Sequence, residues 1–277
     1  MQGLLTIIHL TWIEARRMRF TLASLICALL LLVVFGTSVY FLYRFGPGAV
    51  PRPAFIRQAQ LETLTLAGLY VANFLALAFS VLLPVDSLSG EIDSGVIQTI
   101  ASKPVSRSTI VLGKWLAFLG MATGYLLLVT LGVVLLVRLF TGFVPPHLAT
   151  ALPVLLLGAA TLLTLSIAGG TRMKTITNAI VVFGFYALAF IGGWIETIGA
   201  LLGSDAARYI GTAISLVSPV DAMWRLAAHR LQSPLVQQLP GPFSSAAVPS
   251  AAMVVWAVGY VIATLLAALR GFRTRAL

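Results

Sequence analysis

The sequence predicts an all-α integral membrane protein with six transmembrane helices. Three observations predict it. The 277 residues are 59% hydrophobic, well above the about 45–50% apolar content of an average soluble domain. Only 9% are charged, and the mean hydropathy is +1.00. Apolar windows of roughly 20 residues recur along the chain, the length a helix needs to cross the hydrocarbon. They fall at about Thr21–Tyr43, Thr65–Val85, Ile110–Val137, Leu148–Gly169, Ile176–Ala200 and Val248–Leu269. The third is long enough to tilt or to project from the bilayer. The whole chain, 1–277, is expected to form a single transmembrane domain, with residues 1–20, 86–107 and 201–247 as its main segments outside the spans.

The net charge of +10 suits a membrane protein better than a nucleic-acid binder. Basic residues gather in cytoplasmic loops beside the anionic leaflet, and no Lys/Arg-rich run is interleaved with aromatics. Cys27 is the only cysteine, so an internal disulfide or a cysteine metal site is excluded. The basic cluster Arg16, Arg17, Arg19 follows an apolar segment, which is the reverse of a cleavable signal peptide.

The elements follow in order. Residues 1–20 are expected to form an interfacial helix. At 100° per residue Leu4, Leu5, Ile8, Trp12 and Ala15 share one face, opposite Gln2, Thr6, His9, Arg16 and Arg17. Such a helix lies in the membrane surface with Trp12 at headgroup depth. Basic residues set the orientation, with both termini in the cytoplasm of a bacterial inner membrane. That choice puts Arg16, Arg17, Arg19, Lys103, Arg107, Lys114, Arg172, Lys174, Arg270, Arg273 and Arg275 inside. It puts Arg44, Arg52, Arg57, Arg138, Arg208, Arg225 and Arg230 outside. The short segments "GGTRMKT" and "RGFRTRAL" carry bases and no acid, and short segments weigh most.

Arg44–Leu64 is expected to begin as an irregular external loop, because it holds Pro47, Pro51 and Pro53. Residues 201–247 form the larger extracytoplasmic segment. Within it "SPVDAMWRLAAHRL" has the pattern of a short helix, with Ser218 as a cap, Pro219 in the first turn and Asp221 at the positive end.

The polar stretch Ser89–Trp115 stands between the second and third windows. Val96, Ile97 and Ile100 fit one helical stripe, and Asp86, Glu91 and Asp93 suit a helix N-terminus. Pro104 disfavours helix at Lys103, and Ser106 can cap the helix that runs into the third span. The expected object is a short surface helix, a break, and a membrane helix.

These residues resemble the signature loop of ABC-2 type transporter permeases: Glu91, Gly95, then Pro104-Val105-Ser106-Arg107, then Gly113-Lys114 at the start of a span. "IEARRMRF", with Trp12, Glu14, Arg16, Arg17 and Arg19 in and beside it, is similar to the charged surface helix before the first span of that family. "SPVDAMWRL" is similar to a piece before the last span of its six-span bacterial members. The departure is Gly95-Val96 with "IQTIAS", where the family often has Gly-Thr and a leucine-rich turn.

The resemblance implies the permease subunit of an ATP-driven transporter, an exporter of a hydrophobic or amphiphilic substrate. Segment 86–107 would be its coupling helix, docking in a groove of a separate P-loop ATPase chain. The implied coupling residues are Glu91, Asp93, Gly95, Pro104, Ser106, Arg107, Gly113 and Lys114. For Arg107 and Lys114 plain lipid anchoring is an equal reading. A second permease copy or a homologue would complete the transporter.

The chain lacks its own phosphate-cradling loop. Gly113-Lys114 is followed by Trp115, and Ser108 stands where the first glycine of G-x-x-x-x-G-K-[ST] belongs. No cofactor is therefore expected on this chain, and ATP and Mg would enter through the partner ATPase. His9, His147 and His229 form no metal motif, and no G-x-S-x-G elbow is present. Asn73 and Glu196 are the polar groups assigned to a substrate pathway. For each there is a plainer reading: a helix–helix hydrogen bond for Asn73, and a hydrated place near the outer interface for Glu196. The alternative function is a non-transport membrane scaffold or assembly protein with a partner-binding loop. A secondary transporter would need a charged midplane site and related halves, and neither is visible.

Overall fold

A computed structural model describes residues 2–45, 53–87, 89–90, 106–237 and 248–274. Its elements, in chain order, are α1 (Gln2–Arg17), α2 (Arg19–Arg44), α3 (Ala54–Leu82), α4 (Arg107–Thr141) and α5 (Leu148–Gly170). They continue with α6 (Thr175–Leu201), α7 (Asp205–Val217), α8 (Val220–Arg230), α9 (Pro234–Gln237) and α10 (Ala251–Arg273). Six of them, α2, α3, α4, α5, α6 and α10, are long and apolar enough to cross a membrane. The chain is a multi-pass membrane protein.

Chain direction alternates from span to span. One end of the bundle gathers the start of α2, the end of α3, the start of α4, the α5–α6 turn and the end of α10. It carries Arg16, Arg17, Arg19, Arg107, Lys114, Arg172, Lys174, Arg270 and Arg273, and is called the basic end below. The opposite end is called the far end. α3, α4 and α5 form the packed centre, and α2 and α10 lie at the periphery. Phe118, Leu126, Leu66, Leu69 and Leu155 fill the core between them.

α4 has 35 residues, about 52 Å of helix, against about 30 Å of hydrocarbon. The length foreseen for this span is present. Ser106 holds the N-cap, its Oγ accepting from Thr109 N at 3.2 Å. Gly142, at φ 74°, closes the other end with its N–H on the Arg138 carbonyl, the left-handed cap that glycine takes without strain.

Three expectations need correction. The second span begins at Ala54, not near Thr65, so half of the supposed loop is helix. Pro53 is the last proline before it, and Arg57, Gln58, Gln60 and Glu62 are tolerated by a helix once no proline interrupts it. The apolar stripe of α1 is also rotated. Ile7, Thr11 and Ala15 are buried, with Leu4 and Ile8 half-buried beside them, while Leu5 and Trp12 are 64% and 40% exposed. α1 has two apolar stripes, and packing against α4 selects one. Gly113 makes the approach close: a Cβ there would stand 2.7 Å from Ile7 Cγ2.

The third correction concerns the segment after α6. It is not a loop with one helix on its surface. α7 turns back along α6, and α8 then runs against α5 and α6. Ser204 caps α7, its Oγ accepting from Ala207 N at 3.4 Å. Ser218 does not cap α8: Pro219 occupies that position, and Ser218 Oγ is buried without a hydrogen-bond partner among the described residues. α7 and α8 are about 20 and 16 Å long. Their turn lies beside Gly193, about 12 Å of helix in from Leu201. The pair is thus a re-entrant hairpin at the far end.

Candidate functional site

Two polar assemblies stand out in this apolar bundle, one at each end. The basic-end assembly surrounds the place where α3 leaves the bundle. Lys114 is only 3% exposed, and its Nζ donates to the Ser87 carbonyl at 3.0 Å. Neither lipid anchoring nor a surface position describes it: its side chain turns inward and holds the chain just after α3. Thr175, the first residue of α6, donates to Asp86 Oδ1 at 2.6 Å and shares a hydrogen bond of 2.9 Å with Ser89 Oγ. Thus α4 and α6 both grip the start of segment 86–107.

The grip extends through the spans. Ser166 Oγ of α5 donates to the Val81 carbonyl at 2.8 Å. Asn178 Nδ2 of α6 donates to the Ser166 carbonyl at 2.7 Å. Trp115 Nε1 donates to Thr164 Oγ1 at 2.9 Å and ties α4 to α5. At the other end of the segment, Arg107 Nη1 donates to the Arg273 carbonyl at 3.3 Å and joins α4 to the end of α10. Buried hydrogen bonds in a low-dielectric setting hold elements rigidly to one another. The buried bonds join α3, α4, α5 and α6 at this end, and the exposed Arg107–Arg273 contact adds α10.

Of the residues singled out in the sequence, Ser106, Arg107, Gly113 and Lys114 meet in this region. Gly113 serves α1 packing, as described above. Glu91, Asp93, Gly95, Pro104 and Val105 lie outside the described residues. Glu14, Arg16, Arg17 and Arg19 are exposed beside Trp12 at the same end.

The far-end assembly is the one the sequence concealed. Arg225 of α8 pairs with Glu196 of α6 at 2.9 Å and with Asp221, one turn earlier, at 3.0 Å. Arg225 Nη2 also donates to Ser215 Oγ of α7 at 3.2 Å. The three charged side chains are 8%, 13% and 12% exposed. Glu196 is therefore not a hydrated interfacial carboxylate. It is neutralised inside the hairpin, which is how a membrane bundle accommodates charge. Gly211 permits the arrangement, since a Cβ there would stand 2.5 Å from Glu196 Cβ and 2.7 Å from its backbone N. Tyr70 of α3 meets Trp224 edge-on at 5.2 Å and locks α8 to the centre.

Glu62, which sequence reasoning passed over, completes this end. It is 1% exposed on α3. Its Oε2 accepts from Ser233 N at 2.9 Å, and its Oε1 from Gln58 Nε2 at 3.0 Å. Arg230 Nη1 donates to the Thr150 carbonyl at 2.8 Å. The end of α8 is thereby fastened to α3 and α5. A carboxylate one helical turn from the edge of an apolar window was the available signal. Asn73 is buried on α3, 5% exposed.

Six apolar helices long enough to span a membrane, a further helix along the basic end and a polar junction after α3 define a multi-pass membrane bundle. A family model described as ABC-2 family transporter protein matches residues 62–219, more than half of the chain. The chain belongs to this family, and it is a permease subunit of an ABC transporter. No match to the chain is found among curated proteins.

Proposed function

We propose that the chain is the permease of an exporter for a hydrophobic or amphiphilic substrate, driven by a separate P-loop ATPase. The basic end then faces the cytoplasm of a bacterial inner membrane, as the positive-inside rule directs. ATP and Mg act on the ATPase chain, which docks on segment 86–107. Two permease copies, or this chain and a homologue, enclose the pathway. The peripheral spans α2 and α10, only 17% and 11% buried over their apolar windows, leave broad faces for lipid or for a second copy.

The observation that supports this reading is the basic-end junction. Lys114, Thr175 and Ser166 join the exit of α3 to three further spans, and Arg107 joins the start of α4 to α10. A loop that only bound a partner would need no such anchorage. In the proposed cycle, closure of the ATPase pair moves the segment, and the junction passes the displacement into the bundle. The far-end hairpin, held by the Arg225-centred cluster together with the Trp224, Arg230 and Ser233 contacts, braces the opposite end of the pathway.

Glu91→Ala tests the docking half of the proposal. Affinity purification in mild detergent should recover a P-loop ATPase with the unsubstituted chain. The variant should recover less of it, or show uncoupled ATP hydrolysis, with membrane insertion unchanged. Equal recovery together with equal coupled transport would remove Glu91 from the interface. Recovery of the unsubstituted chain with no ATPase would count against the transporter reading itself.

A further inference from the structure

A cleft of about 340 Å³ opens on the flank of the bundle at the basic end, between α1–α2 and α3–α4. Its composition is graded. Arg16, Trp12 and Thr21 line it beside the α1–α2 corner, and Leu25, Met121, Phe79 and Leu128 line its remainder. Its back wall is firm. Phe79 stacks on Tyr125 at 4.4 Å, and Tyr125 OH donates to the Ser24 carbonyl at 3.0 Å. The cleft opens sideways, since Leu25 and Leu128 are 49% and 47% exposed. Gly124 widens it: a Cβ there would meet nothing within 4 Å.

We infer that this cleft is a binding site for an anionic phospholipid. The order of groups is that of a lipid, with the Arg16 guanidinium and the Trp12 ring first and then apolar walls for part of an acyl chain. Arg17 and Arg19 flank Arg16 at the corner where α1 meets α2, and Glu14 is the one acid of α1. The local charge is therefore positive, and it favours a headgroup with a net negative charge over a zwitterionic one. Trp12 supplies the amphipathic ring that sits at headgroup depth. The lipid would fill the gap between α2, the least anchored of the early spans, and α4, which carries the junction. This inference needs only the membrane assignment, not the direction of transport.

Native mass spectrometry of the full-length protein tests it, with dioleoylphosphatidylglycerol and dioleoylphosphatidylcholine added in equal amounts. The anionic lipid should be retained about fivefold or more over the zwitterionic one, the factor expected from roughly one net arginine contact. Arg16→Gln should bring the ratio close to one while lipid is still retained. Gly124→Phe should abolish retention of both lipids, and Leu25→Trp serves as the filling variant if Gly124→Phe elutes as aggregate. Arg172→Gln, at the same end but outside the cleft, should keep the preference. Equal retention of the two lipids by the unsubstituted chain would overturn the inference. So would undiminished retention by a folded filling variant, or a loss in Arg172→Gln equal to that in Arg16→Gln.

Discussion

Arg225→Ala is expected to unfold the far-end hairpin before the rest of the bundle. The substitution leaves Glu196 and Asp221 facing one another, each mostly withdrawn from water. Removing one partner from a buried charged cluster costs about 3–5 kcal/mol, because the remaining charges keep their desolvation penalty without its compensation. The loss should appear as a lowered melting temperature in detergent and as protease sensitivity within residues 201–237. The control is the triple change Glu196→Gln, Asp221→Asn, Arg225→Met. It removes the charges together and should recover most of the stability, since an apolar or neutral replacement of a buried cluster is often close to neutral. If the single variant is as stable as the unsubstituted chain, Arg225 does not hold the hairpin. If the triple variant is as unstable as the single one, shape and not charge is what Arg225 supplies.

Lys114→Met should give the opposite pattern: a folded chain that transmits poorly. Methionine fills a similar volume and removes the buried charge with its desolvation cost, which offsets part of the about 1–3 kcal/mol that the Ser87 carbonyl loses with its donor, so the chain should still fold. What is lost is the bond from α4 to the Ser87 carbonyl. A hydrogen bond from a charged donor contributes about 1.5–3 kcal/mol, and if most of it is expressed in the coupled step, transport per ATP should fall about tenfold or more. Complex formation with the ATPase should persist, because the substitution lies in the bundle. Measuring ATP hydrolysis and substrate movement in the same proteoliposomes separates the outcomes. An unchanged ratio would show that the junction is scaffolding alone.

The two assemblies differ in how far the sequence revealed them. The spans were legible because hydrocarbon imposes one length and one composition on every crossing helix. Ser106 and the start of α4 were legible because capping is local chemistry. Lys114 was picked out for its place in a motif, yet its inward turn was hidden. A lysine at the start of a span has the same local sequence whether it snorkels to lipid or reaches a carbonyl 27 positions away. The orientation of α1 failed for a related reason. Periodicity offers two stripes, and only the partner helix, with Gly113 at the contact, decides between them.

The hairpin was the largest omission. "SPVDAMWRL" declared a helix, but nothing local says that a helix after a span folds back into the bundle. The clue lay in distant residues that make sense only together. Glu196 is a carboxylate in an apolar span, Arg225 is a base in a short helix, and Gly192, Gly193, Gly199 and Gly211 are small residues that let α6, α7 and α8 approach. Small residues at helix contacts are how membrane bundles pack closely. α7 also shows Tyr209, Ile210, Leu216 and Val217 outward, between 47% and 75% exposed. An apolar outer face of this kind belongs beside lipid, not in an aqueous loop.

Coupling in the proposed cycle depends on the ATPase taking hold of segment 86–107. Single cysteines at Ser94 and at Ser233, in a chain carrying Cys27→Ser, can be crosslinked in membranes that hold the assembled transporter. A cysteine at Ser94 should form a covalent adduct with the ATPase chain, and one at Ser233, beside Glu62 at the far end, should form none. An adduct from Ser233, or none from Ser94 in a complex shown to contain the ATPase, would contradict the account.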